Sequence, residues 1–478
     1  MSSPVGGTTY TIASVLKDGT NATSATSTPL DINFVSGYDG ANDSPIKIAD
    51  YWIYSYASAD GSYSNWVQEL STGAIPVTDG FTIKGPGTAQ NYTFVGTPND
   101  GNLTTNIGAE EAYLVGNPYP SAISAKRFIE DNANSISGTL YFWQHAGEDD
   151  IVSSNTAGHT YDGYVGGYSA RNITMGLAAN QVSSNDDSST PDLGNGSYTA
   201  PKNYIAIGQG FFINGDSDGG QVVFNNSQRE FKAKGTESIF FKSKKKGKSR
   251  VPIIKFGMNY KSTDNKDMHR QIGISFHPNN TFDFETGYDS YLFDLSSSDF
   301  YWKFPNYDAK YVIAGVEEIN TNLQVPVEII LAKDDEISIE IDEWNLENQN
   351  VYLFDKQTNQ YYSLHDDKAT INLEKGEYRE RFFITFSNEQ TLGVNEGILS
   401  KNILVFYNKR TKEINVKLNN ALKIKEVKLY NILGQKVKQW KFNKNQLSEQ
   451  KLKINAQTKS VYICKIITDK GKISKKII

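Results

Sequence analysis

Cysteine occurs once in the 478 residues, at Cys464. A single thiol excludes an internal disulfide and any zinc site built from paired cysteines. Histidine is scarce as well, with only His145, His159, His269, His277 and His365. None of the five falls in an H-E-x-x-H or H-x-x-E-H pattern, and no G-x-S-x-G elbow presents a serine nucleophile. The Gly-rich stretch Gly163-Tyr164-Val165-Gly166-Gly167 lacks the Lys-Ser/Thr of a phosphate loop. No apolar run approaches the roughly 18 residues of a membrane helix, so the chain is expected to be soluble. The opening Met1-Ser2-Ser3-Pro4-Val5-Gly6-Gly7 has no basic segment followed by an apolar one, and so is not a signal peptide. If the protein is exported, its leader is expected upstream of this chain.

Aromatic residues are plentiful, at 12% of the chain with 28 Tyr and 24 Phe, and Gly reaches 39. Aromatics favour strands and sheet-on-sheet cores, while Gly, Asn, Asp and Ser between apolar runs mark frequent turns. The expectation is an all-β protein of tandem β-sandwich domains, ending in a small immunoglobulin-like seven-stranded sandwich.

Charge divides the chain. Residues 401–478 carry 20 Lys and Arg against 4 Asp and Glu. With 48 basic and 54 acidic residues in all, the first 400 are left with 28 basic and 50 acidic. The tail is therefore +16 and the body −22, a split that separates two functional regions.

Five segments follow. Residues 1–241 read as a β-rich module with long loops, including strands at Asp50–Tyr56, Gly138–Trp143 and Gly210–Ile213. One short helix is expected from Ser124, the predicted N-cap, to Asn132, and Val182–Tyr198 is a polar loop. Residues 242–250 hold a basic run, read as a solvated linker rather than a nucleic-acid patch because no aromatics interleave it. Residues 251–388 read as a two-sheet sandwich: Ile337, Ile339 and Ile341 alternate with Ser338, Glu340 and Asp342. Residues 389–400 form a linker with Gly393 and Gly397. Residues 401–478 contain seven strand-like runs, in which Val427 and Leu429 face inward, Lys428 outward, and Cys464 is a buried small hydrophobe.

Four stretches of the tail resemble the C-terminal sorting domain of type IX secretion substrates of the Bacteroidetes. The run Glu426-Val427-Lys428-Leu429-Tyr430-Asn431-Ile432-Leu433-Gly434-Gln435-Lys436-Val437 is similar to that family's hairpin, and Val461–Ile466 to its penultimate strand. Asp469-Lys470-Gly471-Lys472 is similar to its turn, and Ser474-Lys475-Lys476-Ile477-Ile478 to its terminal basic strand. Two places depart: Tyr407-Asn408-Lys409 stands for Pro-Asn-Pro, and Ser460-Val461 precede Tyr462 where the family has Gly. The resemblance implies a secreted or cell-surface protein that meets the outer-membrane export machinery and a sortase-like peptidase, with cleavage between Asn388 and Lys401. It implies that Tyr430, Gly434, Gln435, Tyr462, Gly471, Lys475 and Lys476 carry the sorting signal. Regions one and two, through Leu114–Ala122, Gly138–Trp143, Ile207–Ile213 and Val223–Arg229, resemble a recurrent module of large flavobacterial surface proteins.

The body is expected to be non-enzymatic and to need no cofactor. Asp283, Glu285 and Asp289 could supply oxygen ligands to Ca²⁺, with solvated turns as the plainer reading. Tyr54, Tyr56, Tyr161, Tyr164 and Tyr168 could stack on sugars of a surface glycan, with loop and core packing as the plainer reading. An adhesin or carbohydrate-binding module in residues 1–241 is thus the alternative to a structural role. Paired carboxylates for glycoside hydrolysis stay open, because their spacing is set in three dimensions.

Overall fold

The computed structural model describes residues 1–20, 28–88, 90–145, 166–180, 199–232, 251–263, 265, 267–293, 295–305, 307–346, 349–365, 367–388, 403–408, 411–418, 423–431, 435–442, 449–454, 462–468 and 471–477. The chain is all-β apart from short helices, and it forms two compact units, Met1–Phe386 and Ser387–Ile478. The 242–250 run, the 389–400 linker and the Val182–Tyr198 loop lie outside the described residues.

In the first unit, one lobe is built on a seven-stranded antiparallel sheet. Its spatial order is Gly176–Leu177, Gly166–Arg171, Ile136–His145, Gly210–Gly215, Ala112–Gly116, Tyr54–Ser58 and Trp66–Gln68. Val115, Phe142, Phe211 and Ile213 on one face bury against the helix Ala125–Asp131. That helix forms because Ala125, Phe128 and Ile129 give it one apolar face and Ser124 caps it, accepting from Arg127 N at 3.3 Å. At its other end the Asn132 side chain donates to Phe128 O and exchanges hydrogen bonds with the Val223 backbone.

The strand expected over Asp50–Tyr56 is a correction. Asp50–Trp52 is a 3₁₀ turn, and the strand starts only at Tyr54. The turn is held by Ile53 N donating to Asp50 O and by Ser71 Oγ donating to the Asp50 carboxylate at 2.8 Å. A short side chain anchored in this way offers the backbone an alternative to the ladder.

The second lobe spans the strands from Ile253 to Thr385. Hydrogen bonds join eleven of them in a single sheet rather than the expected two. The sheet turns over one core that takes in Phe256, Ile274, Trp302, Val327, Ile339, Leu353 and Phe382. The joining element is Tyr311–Val316, which runs parallel to Asp267–Phe276 and antiparallel to Ser290–Tyr291 and Asp299–Trp302. The last strand, Gly376–Thr385, sits between Gln324–Leu331 and Tyr352–Asp355. Ile337 and Ile339 point into the core as the alternation predicts. Inside this lobe Arg270 Nε lies 2.8 Å from Asp299 Oδ1, a charge contact between two inaccessible side chains. Asp299 also accepts from the backbone N–H groups of Ser296 and Phe300.

Residues 1–241 and 251–388, read from the sequence as successive bodies, pack along a shared seam. Thr139 Oγ1 donates to Ser290 Oγ at 2.9 Å, Asn172 Nδ2 to Tyr288 O at 2.8 Å and Tyr141 OH to Tyr291 O at 3.1 Å. Met175 and Leu177 bury against Ile253, Val312 and Ile313, and Phe293 covers Tyr141 and Tyr168.

The second unit bears out the small seven-stranded sandwich. Its strands are Ile403–Asn408, Glu413–Leu418, Ile424–Asn431, Lys436–Lys441, Glu449–Lys453, Tyr462–Thr468 and Gly471–Ile477. The first, second and fifth form one sheet; the other has the order fourth, third, sixth, seventh. Ile414, Val416, Val427, Leu429, Cys464 and Ile466 fill the space between them. Cys464 is fully buried, and burial pushes its thiol up to about 12.

Candidate recognition face of the tail

Period-two alternation decides what each tail strand offers to solvent. In the third strand Val427 and Leu429 are buried, leaving Glu426, Lys428 and Tyr430 on the outer face. In the sixth, Cys464 and Ile466 are buried, leaving Ile463, Lys465 and Ile467 outward. In the seventh, Ser474 and Lys476 are exposed.

Register then brings distant motif residues together. Tyr430 pairs with Ile463, and Ile463 with Lys476, so the three form one row across adjacent strands. The next row is Lys428, Lys465 and Ser474. Directly opposite residues lie about 5 Å apart at Cβ, close enough to act as one surface. Ile463 is 41% exposed at the middle of this face. Glu426 is engaged by Lys428 at 2.9 Å and by Gln439, and these contacts hold its carboxyl below the usual range. Among the described residues, Lys465 and Lys476 have no ion-pair partner.

The remaining motif residues stand elsewhere in the unit. Gln435 N donates to Asn431 Oδ1 and Asn431 N to Gln435 O, closing the hairpin turn; Gly434 lies outside the described residues. Tyr462 is half-buried against the core. Gly471 starts the last strand opposite Thr468. Lys475 stands on the core-facing side, opposite Cys464. The sequence motifs singled out Tyr430 and Lys476 but missed Ile463 between them. Its alternation with Cys464 was the available signal.

In the body, Tyr161 and Tyr164 lie outside the described residues. Tyr168 is half-buried, with Trp143, Phe212 and Phe293 ring centroids 5.2, 5.6 and 4.8 Å away. Tyr54 and Tyr56 belong to an aromatic run with Tyr38, Tyr51, Trp52 and Trp66, in which Tyr38 and Tyr51 are exposed.

Each carboxylate weighed for Ca²⁺ has donors within its own chain, while Glu285 Oε2 is buried without one among the described residues. Glu285 Oε1 accepts from Thr281 N and Oγ1, both at 3.0 Å. Asp289 accepts from the N–H groups of Glu285 and Gly315, both at 2.7 Å, and Asp283 from Tyr307 OH. Burial outweighs these bonds and pushes the Asp289 carboxyl up to about 8. Among the described residues no three His, Cys, Asp or Glu side chains gather as a metal site.

Two family matches account for this arrangement. Residues 34–386 match the family described as Domain of unknown function (DUF8693), a single block that spans both lobes and their seam. Residues 405–478 match the Secretion system C-terminal sorting domain, which bears out the resemblance read from the tail motifs. No curated protein matches the chain. With most of its length inside the first match, the chain belongs to the DUF8693 family and carries a type IX C-terminal sorting domain as its tail.

Proposed function

We propose that the protein is cargo of the type IX route, delivered to the outer cell surface or the medium of a Bacteroidetes bacterium. In this reading residues 1–386 are a rigid, non-enzymatic structural body, and the tail is removed by a sortase-like peptidase in the 389–400 linker. The supporting observation is the tail itself: a unit with its own core, matched to a sorting domain over residues 405–478. The test fuses residues 387–478 to a periplasmic reporter in a host that has this route. The reporter is expected outside the cell, and reporter held in the periplasm overturns the reading.

A second reading, that the body is a glycan-binding adhesin, draws on the aromatic run, where Tyr38 and Tyr51 are exposed beside Trp52. Tyr51→Ala and Tyr38→Ala should then abolish binding on a glycan array. Parent protein that binds no glycan removes this reading.

A further inference from the structure

Among the described residues the terminal strand Gly471–Ile477 pairs on one side only, with Tyr462–Thr468, and so ends its sheet. A partner could read such a sheet at this edge, by adding a strand, or across its outer face. Lys475 decides between them. It occupies a core-facing position on the edge strand, opposite the buried Cys464. An inward-pointing charge on an edge strand is a device that discourages strand addition there.

The outer face has the opposite character. Its centre is an exposed isoleucine, Ile463, beside the Tyr430 ring, and around them stand Lys428, Lys465 and Lys476. The acid on this face, Glu426, is already taken by Lys428 and Gln439. An apolar and aromatic centre with a charged rim is the anatomy of a protein interface. The excess of positive charge, on a tail of +16, selects a partner of negative potential.

Resting on the sorting reading above, we propose that the outer face centred on Tyr430, Ile463 and Lys476 docks onto an acidic protein surface of the export machinery. The face, not the strand edge, is the address. The apolar centre supplies short-range contact. Lys465 and Lys476 supply charge complementarity, which salt weakens because both are at the surface.

The experiment uses the full chain, preceded by a periplasmic export signal, in a host with the type IX route and measures the fraction outside the cell. Lys465→Glu with Lys476→Glu is expected to cut that fraction about tenfold or more. Lys465→Gln with Lys476→Gln, which keeps most of each stem, should lower it in the same direction. Leu404→Glu, at a 59% exposed position on the other sheet, should stay within about twofold of the parent. Protease resistance of the retained protein verifies that each variant is folded. A folded double variant exported like the parent, while removal of residues 387–478 still blocks export, overturns the face and leaves the sorting reading standing. If that removal does not block export, the sorting reading itself falls and takes the face with it. A double variant that is exported normally but no longer held at the surface assigns the face to anionic lipid headgroups instead, and overturns the protein partner.

Discussion

Gly138 and Gly287 meet backbone to backbone, with φ of +87° and +81°. A Cβ on Gly138 would stand 2.2 Å from Gly287 N. A Cβ on Gly287 would instead meet Ile173 Cδ1 at 2.6 Å, so the seam leaves no room for a side chain at either of two residues 149 positions apart.

Gly138→Ala should therefore destabilise the body by about 1–3 kcal/mol, from overpacking and a left-handed backbone together. Chemical denaturation measures it. An unchanged midpoint would show that the seam yields.

Asp289 gives the body a pH dependence. Its folded carboxyl titrates at about 8, against 3.8 ordinarily, because burial disfavours the charged form. The folded state thus holds a proton that the unfolded chain has released. The associated stability is complete below the ordinary carboxylate range and is lost as pH rises through about 8. Unfolding midpoints at pH 6 and pH 9 should fall with pH, and Asp289→Asn should flatten the slope.

The Arg270–Asp299 pair predicts a large single-site effect. Arg270→Met leaves Asp299 enclosed without its cation, at a cost of about 3–5 kcal/mol. Replacing both with apolar residues of similar volume should recover much of that loss, as thermal unfolding of the two variants can show.

Cys464 reports on the tail. Its thiol, pushed up to about 12, should resist a thiol reagent at pH 8 in the native protein and react only on unfolding. Rapid labelling without denaturant would contradict the packed sandwich.

The tail was legible in the sequence because its signal is local. Val427 and Leu429 alternate with Glu426, Lys428 and Tyr430, Cys464 and Ile466 flank Lys465, and each strand can be read without knowing its partner. Ser124 was legible as a cap for the same reason. The seam was not, since nothing near Gly138 announces Gly287. Asp50–Trp52 was read as strand because its aromatics resemble one, while the Ser71 hydroxyl that fixes the turn comes from 21 residues away. Both readings of Tyr168, sugar stacking and core packing, stay open in the sequence because Phe293, the ring that covers it, lies in the other lobe. Asp283, Glu285 and Asp289 carry a ligand-like spacing, but they accept from backbone N–H groups and from the hydroxyls of Thr281 and Tyr307, some as distant as Gly315.

The position of Gly376–Thr385 inside the large sheet has a consequence for timing. During synthesis the neighbours on either side of this segment, Gln324–Leu331 and Tyr352–Asp355, emerge first and wait with unfilled hydrogen-bonding positions. The body cannot close until residue 385 is available, and the first tail strand, Ile403–Asn408, comes after it. Whatever reads the tail therefore meets it only on chains that already possess every strand their body needs.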